Sequence, residues 1–239
     1  GTCHLENLGD RDGVLKAKTE IFQSMKPNGH IVLNGDDDKL ITVREYNGVK
    51  PVFFGLNSER DVYADQIESK GLKGVACRIH LGGDAFDVLV PTPGIHMVYN
   101  ALAAAAVGRI YGLTIEEIRR GIESLETIRG RFKMIETDKF LVVDDCYNAN
   151  PMSMKASLDV LQDGLGRRVA ILGDMGELGT DEVALHEGVG VHAGHCKIDV
   201  CICVGPLAAN IAEKASQTNP DLTVIREKDL ESLLSNLNT

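Results

Sequence analysis

No stretch of the chain approaches the roughly 20 consecutive apolar residues that span a bilayer. Gly1–Arg11 is polar and lacks an apolar core, so no signal peptide is expected. A surplus of basic charge is also missing. Lys and Arg number 25 against 35 Asp and Glu, giving a net charge of −10. That balance argues against a broad nucleic-acid or anionic-membrane surface, although a single basic residue can still meet a phosphate locally. The six cysteines (Cys3, Cys77, Cys146, Cys196, Cys201 and Cys203) contain no C-x-x-C pair. Reduced thiols in a cytoplasmic protein are therefore expected, rather than a zinc site. There is no G-x-x-x-x-G-K-[ST] loop, no G-x-G-x-x-G fingerprint and no serine or cysteine nucleophile elbow. Internal repeats and low-complexity segments are absent as well.

What is present is an ordinary globular composition, 44% hydrophobic and 25% charged over 239 residues. That length suits one large domain or two small ones. The apolar spacing of Val14, Ile21 and Met25 predicts a helix over 14–25. Asn34-Gly35-Asp36-Asp37-Asp38 follows a short strand at 30–33. It lacks the glycine and closing glutamate of a calcium loop, so it reads as a turn before a helix at 40–45. Residues 51–90 read as four short strands, at 51–54, 62–68, 75–79 and 86–90. After Pro91-Thr92-Pro93-Gly94 comes an alanine-rich helix at 97–111. A second helix is opened by Thr114 with Glu117, a capping box.

Ile128-Arg129-Gly130-Arg131 reads as a hinge between two domains. Beyond it, strands at 139–144, 168–172, 199–204 and 222–225 alternate with helices near 151–163, 182–194, 206–216 and 228–236. This rhythm predicts an α/β fold with a parallel, doubly wound sheet. Its most informative stretch is Val142-Val143-Asp144-Asp145-Cys146-Tyr147-Asn148-Ala149-Asn150-Pro151. A strand expected to be buried gives way to polar residues, and Pro151 opens a helix that Asn150 can cap. Polar groups at the carboxyl end of a strand sit where α/β folds bind ligands. Other candidates are His4 with Lys18, His96 with Asn100 one helical turn apart, Arg129 with Arg131, and Gly173-Asp174-Met175-Gly176-Glu177-Leu178-Gly179. Taken singly, each also fits a cap, a turn or a solvated charge.

Together these segments resemble the Mur ligase family. The resemblance rests on Cys3-His4-Leu5-Glu6, Ala17-Lys18-x-x-Ile21-Phe22, Asn34-Gly35-Asp36-Asp37, His96-x-x-x-Asn100-Ala101-Leu102-Ala103-Ala104 and Gly130-Arg131-Phe132. It rests further on Asp144-Asp145-x-Tyr147-Asn148-Ala149-Asn150-Pro151 and Leu172-Gly173-Asp174-Met175-x-Glu177-Leu178-Gly179, followed by His186. The last two long segments point to family members that couple D-alanyl-D-alanine to a UDP-N-acetylmuramoyl-tripeptide.

Such a resemblance implies an ATP-dependent ligase of peptidoglycan precursor synthesis that works through an acyl phosphate, with ATP and Mg2+ as cofactors. It implies part of a central ATPase domain at 1–129 and most of a Rossmann-like C-terminal domain at 130–239. The P-loop segment and a uridine-binding domain are expected to lie outside the 239 residues, so the fragment alone is expected to be inactive. Residue by residue, His4 and Lys18, the latter as a carbamate, would ligate the second magnesium. Asn100 would meet the adenine, Asp145 the ribose and Arg131 the ATP phosphates. Asn148 and Asn150 would lie near the acyl phosphate and the incoming dipeptide. The family commonly has His-Asn where this chain has His96-Met97, so one adenine-side contact is expected to be apolar. A cytoplasmic monomer without nucleic-acid partners is expected. The alternatives are another ligase of the superfamily, folylpolyglutamate synthetase-like, or a non-catalytic Rossmann-like binding module.

Overall fold

The computed structural model describes residues 8–236. They divide into two compact units, residues 11–127 and residues 128–236, the second joined by residues 8–10.

The first unit is built on a five-stranded sheet in sequence order: β1 (Val32–Asn34), β2 (Val52–Gly55), β3 (Val62–Ser69), β4 (Val75–Leu81) and β5 (Asp84–Val90). β1, β2 and β3 pair in parallel, and β3, β4 and β5 antiparallel. Alternation is clearest in β4, where Val75, Cys77, Ile79 and Leu81 are buried and the residues between them are half-buried. Against these side chains lies α2 (Ile95–Ile110), through Val98, Ala101, Leu102, Ala105 and Ala106. Those positions recur at three- and four-residue intervals, which is one face of a helix. The alanines leave room for the helix to lie close to the sheet. α3 (Ile115–Glu123) adds Ile118 and Ile122, and the expected capping box of Thr114 and Glu117 is present.

Two expected helices are shorter than their apolar pattern suggests. α1 (Arg11–Thr19) stops where the Thr19 hydroxyl turns back onto the carbonyls of Leu15 and Lys16, and a 3-10 turn, Glu20–Ser24, follows. Ile21, expected on its packed face, is 72% exposed. After β1 there is only a 3-10 turn, Leu40–Thr42. The Asp37 carboxylate caps the N–H groups of Lys39 and Leu40, and after the β-branched Ile41 and Thr42 the chain turns extended at Val43.

In the second unit β8 (Val169–Gly173), β9 (Val200–Val204) and β10 (Thr223–Glu227) form a parallel sheet in the order β10-β9-β8. α4 (Pro151–Leu161), α5 (Glu182–His195), α6 (Ala208–Thr218) and α7 (Leu230–Asn236) complete the alternation. β9 is buried on both faces. Cys201 and Cys203 join Met154, Leu158, Val189 and Ile211 on one side, while Val200 and Ile202 meet Leu233 on the other. α5 and α6 approach backbone to backbone, so a Cβ on Gly190 would lie 2.4 Å from the Ile211 carbonyl oxygen.

One strand departs from expectation. β7 (Leu141–Asp144) pairs antiparallel with β6 (Lys133–Glu136) in a two-stranded ribbon of its own, not in the parallel sheet. It is also not buried, with Leu141 and Val142 each 39% exposed. The local turn decides the pairing: the Thr137 hydroxyl accepts from the N–H groups of Lys139 and Phe140 and closes a hairpin.

Candidate functional site

The polar loop after β7 is fastened at both ends. Gly130 N–H donates to Asp144 Oδ2 (3.1 Å), and Tyr147 N–H donates back to the Gly130 carbonyl (3.0 Å). Asp145 takes the Phe132 N–H on Oδ1 (3.1 Å) and the Ser157 hydroxyl on Oδ2 (2.7 Å). Phe132 is buried with φ of 54°, a left-handed backbone that a bulky residue adopts only when its surroundings fix it. Asp145 supplies that fixing, and it links the segment 130–132 to α4. A carboxylate has about four acceptor positions, so two remain after these bonds.

The segment so fixed carries Arg131, whose guanidinium lies over the Tyr147 ring, 4.1 Å from its centroid. Stacking engages the flat face and leaves the N–H edge available for an anion. Asn148 is exposed. Asn150 is the N-cap of α4: its Oδ1 accepts from Met152 and Ser153 N–H (both 3.0 Å), and Ser153 Oγ answers by accepting from Asn150 N–H (3.1 Å). Arg131, Asp145, Asn148 and Asn150 therefore share one loop cluster within the second unit. The Cys146 thiol and then the Gly130 N–H hold the Asp144 carboxyl below the usual carboxylate range, and Asp144 in turn pushes the Cys146 thiol up.

The loop after β8 is held by His186, which is completely buried. Its Nε2 accepts from Met175 N–H (2.9 Å), so the ring proton sits on Nδ1 and is donated to the Glu182 carbonyl (2.7 Å). Asp174 Oδ1 accepts from Ala208 N–H (2.6 Å) and ties the same loop to the start of α6. Ala149 packs on the core that contains Met175. His186 belongs to the motif read in the sequence, but its neighbours Leu185 and Glu187 give no signal of its bracing role.

In the first unit Asp36 is the centre. It accepts from Leu56 N–H (2.6 Å), Arg60 Nε (3.1 Å) and the Tyr99 hydroxyl (3.1 Å). Burial opposes its charge, but these three donors together hold its carboxyl below the usual range. Tyr99 is pushed up to about 12, by burial and then by Asp36. This network pins the start of α2, where Asn100 is exposed and its Nδ2 lies 3.4 Å from Met97 Sδ. The expected apolar neighbour of Asn100 is thus in contact with it.

Lys18 is exposed in the last turn of α1, a helix with no buried residue. α1 is moored by ion pairs of Arg11 with Asp38 and of Lys39 with Asp12, the latter at 2.6 Å. His4 lies outside the described residues. Among the described residues no oxygen-rich donor set for magnesium gathers around Lys18. Among the described residues, the group of three or more His, Cys, Asp or Glu close enough to share an ion is elsewhere, at Asp159, His192 and Cys196.

An α/β unit with a parallel sheet and polar loops after β7 and β8, in one chain with a mixed five-stranded sheet unit, defines the class. The sequence matches the Mur ligase middle domain over residues 1–108 and the Mur ligase glutamate ligase domain over residues 130–238. The chain belongs to the Mur ligase family. Within it, the chain is 36% identical over 205 residues to the UDP-N-acetylmuramoyl-tripeptide–D-alanyl-D-alanine ligase of Escherichia coli K12, covering 85% of this chain and 45% of that one. A crystal structure of MurF from Acinetobacter baumannii superposes with a TM-score of 0.86 at 32% identity, over 100% of this chain and 51% of that one. A MurF ligase from Thermotoga maritima, solved in complex with ADP, matches at a TM-score of 0.77 and 24% identity, over 98% of this chain and 59% of that one, a likeness of fold. The chain thus spans about half the length of the curated relatives it matches.

Proposed function

We propose that this chain is the part of an ATP-dependent ligase that joins D-alanyl-D-alanine to a UDP-N-acetylmuramoyl-tripeptide. The observation that carries the proposal is the braced loop Asp144–Pro151 with Arg131 stacked on Tyr147. It offers a fixed, edge-exposed guanidinium and a carboxylate with spare acceptor positions. Identity to the named relatives supports the choice of substrates over a folylpolyglutamate synthetase-like one.

When bound, ATP would supply the phosphoryl group that activates a substrate carboxylate as an acyl phosphate, from which the dipeptide amine displaces phosphate to form the amide. The chain's own residues orient and neutralise. Arg131 steadies phosphate charge, Asp145 accepts from ribose hydroxyls, and Asn100 meets the adenine edge. Asn148 and the Nδ2 of Asn150 face the incoming dipeptide, Oδ1 of Asn150 being used in the cap. Mg2+, with His4 and carbamylated Lys18 as its ligands, stays part of the proposal. Among the described residues no helix is long and apolar enough to cross a membrane, and we place the protein in the cytoplasm as a monomer.

The test is an assay of the protein that contains this chain, with ATP, UDP-N-acetylmuramoyl-tripeptide and D-alanyl-D-alanine. Phosphate release matched by amide product is expected. Turnover with a folate and glutamate, and none with these substrates, would replace this reading by the alternative.

A further inference from the structure

Away from the loop cluster, α4 and α5 bring together three side chains of different donor type. Asp159 stands on α4, His192 in the last turn of α5, and Cys196 at its C-cap. His192 Nε2 and Asp159 Oδ1 are 2.7 Å apart, Cys196 Sγ and the same Oδ1 are 4.0 Å apart, and the three atoms all lie within 4.8 Å of one another. We propose that Asp159, His192 and Cys196 form a binding site for a zinc-class divalent cation that ties α4 to α5.

Donor chemistry selects the class of ion. One imidazole nitrogen, one sulfur and one carboxylate oxygen suit zinc or cobalt, whereas magnesium and calcium prefer oxygen alone. Geometry agrees. A tetrahedral zinc with bonds of about 2.0 Å to N and O and about 2.3 Å to S has edges of roughly 3.3–3.5 Å. The two measured separations, 2.7 and 4.0 Å, straddle that value. Turning Asp159 away from His192 and toward Cys196 brings both close to it, and its half-exposed side chain has room to turn.

Cys196 is buried while Asp159 and His192 reach the surface, so the cation enters from solvent and the fourth position faces water. Before loading, the thiol is protonated, since burial and then Asp159 push it up to about 11. On loading, the cation takes the sulfur lone pair, and the thiol proton leaves to solvent. The His192–Asp159 hydrogen bond gives way to two metal bonds, the Nε2 proton passing by way of solvent to Nδ1 and so freeing the Nε2 lone pair.

The clamp also reaches the loop cluster. Asp159 lies two residues beyond Ser157, which holds Asp145, and His192 lies on the helix whose His186 holds Met175. A bound cation would fix these two helices to each other in the second unit.

The experiment uses the metal-free chain and Co2+ as the probe. One equivalent is expected to give a thiolate-to-cobalt charge-transfer band in the near ultraviolet, which one equivalent of Zn2+ then abolishes. Cys196→Ser is expected to remove the band, and Cys146→Ser, at an exposed cysteine elsewhere, to leave it intact. Losing even an outer-shell partner weakens metal sites by about 10–100-fold, so Asp159→Asn and His192→Ala should each weaken binding by at least about tenfold. Absence of the band in the unaltered chain overturns the proposal, as does a band that survives Cys196→Ser. Should Cys196→Ser fail to fold by circular dichroism, Asp159→Asn decides, and unchanged Co2+ affinity then sinks the site.

Discussion

The two units present their candidate residues in opposite ways. In the second unit, Asp145 and Asn150 point to a ligand by their chemistry and also build the loop that displays them. Asp145 fixes the strained Phe132 and fastens it to α4, and Asn150 starts α4. In the first unit, Lys18 and Asn100 stand exposed on helices, and the fixing is delegated to other residues: Asp36 and Arg60 with Tyr99 of α2, and Asp38 with Arg11 of α1. Where one residue does both jobs, loss of function and loss of stability coincide. Where the jobs are divided, they separate.

Four measurements break or sharpen that contrast. The largest effect on stability is expected for His186→Leu, because it leaves the Met175 N–H without its buried acceptor and removes the bond from Nδ1 to the Glu182 carbonyl, which keeps its helical partner. The orphaned N–H costs about 1–3 kcal/mol and the lost bond about 0.5–1.5 kcal/mol more, and a fall of several degrees in the thermal midpoint should report it. Next comes Asp145→Ala, which removes a charged acceptor of two hydrogen bonds. About 1.5–3 kcal/mol should be lost in urea unfolding, together with activity in the intact enzyme. An Asp145→Ala protein that keeps full stability would dissolve the contrast.

Smaller and confined to acid is the effect of Asp36→Asn. The Asp36 carboxyl is held below its ordinary value of 3.8, so its contribution is fully present above that pH and fades as pH falls through the lower folded value. Asp36→Asn should therefore flatten the acid limb of the midpoint-against-pH curve and change its slope little near neutrality. Smallest is Lys18→Ala, with stability expected to change by no more than about 0.5 kcal/mol. Activity of the intact enzyme should nonetheless fall at least tenfold if Lys18 serves the metal, and undiminished turnover would remove it from the site.

Local patterns were the legible part of the fold. The alternation along Val75–Leu81, the Thr114–Glu117 capping box and the Asn150–Pro151 helix start are all written within a few neighbouring residues. Illegible features depended on distant partners. Asp36 finds Arg60 and Tyr99, 24 and 63 positions away, and Asp159 finds His192 across 33. The apolar run of β7 fits a core strand equally well, and only pairing with β6 identifies it as a hairpin arm. Likewise, the apolar spacing of Ile21 and Met25 could not reveal that the Thr19 hydroxyl ends α1 first. For the site, the Asp144–Pro151 loop could be read directly, but the bracing of Asp145 by Phe132 and Ser157 could not.

The arginine–tyrosine stack also makes the chain its own optical sensor. The sequence has no tryptophan and five tyrosines, so tyrosine emission is not swamped by indole. Tyr147, 69% exposed with a cation against its ring, should change its absorbance and emission whenever an anion draws Arg131 aside. Phosphate-bearing ligands could thus be titrated on this surface without any label, and Tyr147→Phe would identify which of the five rings is speaking.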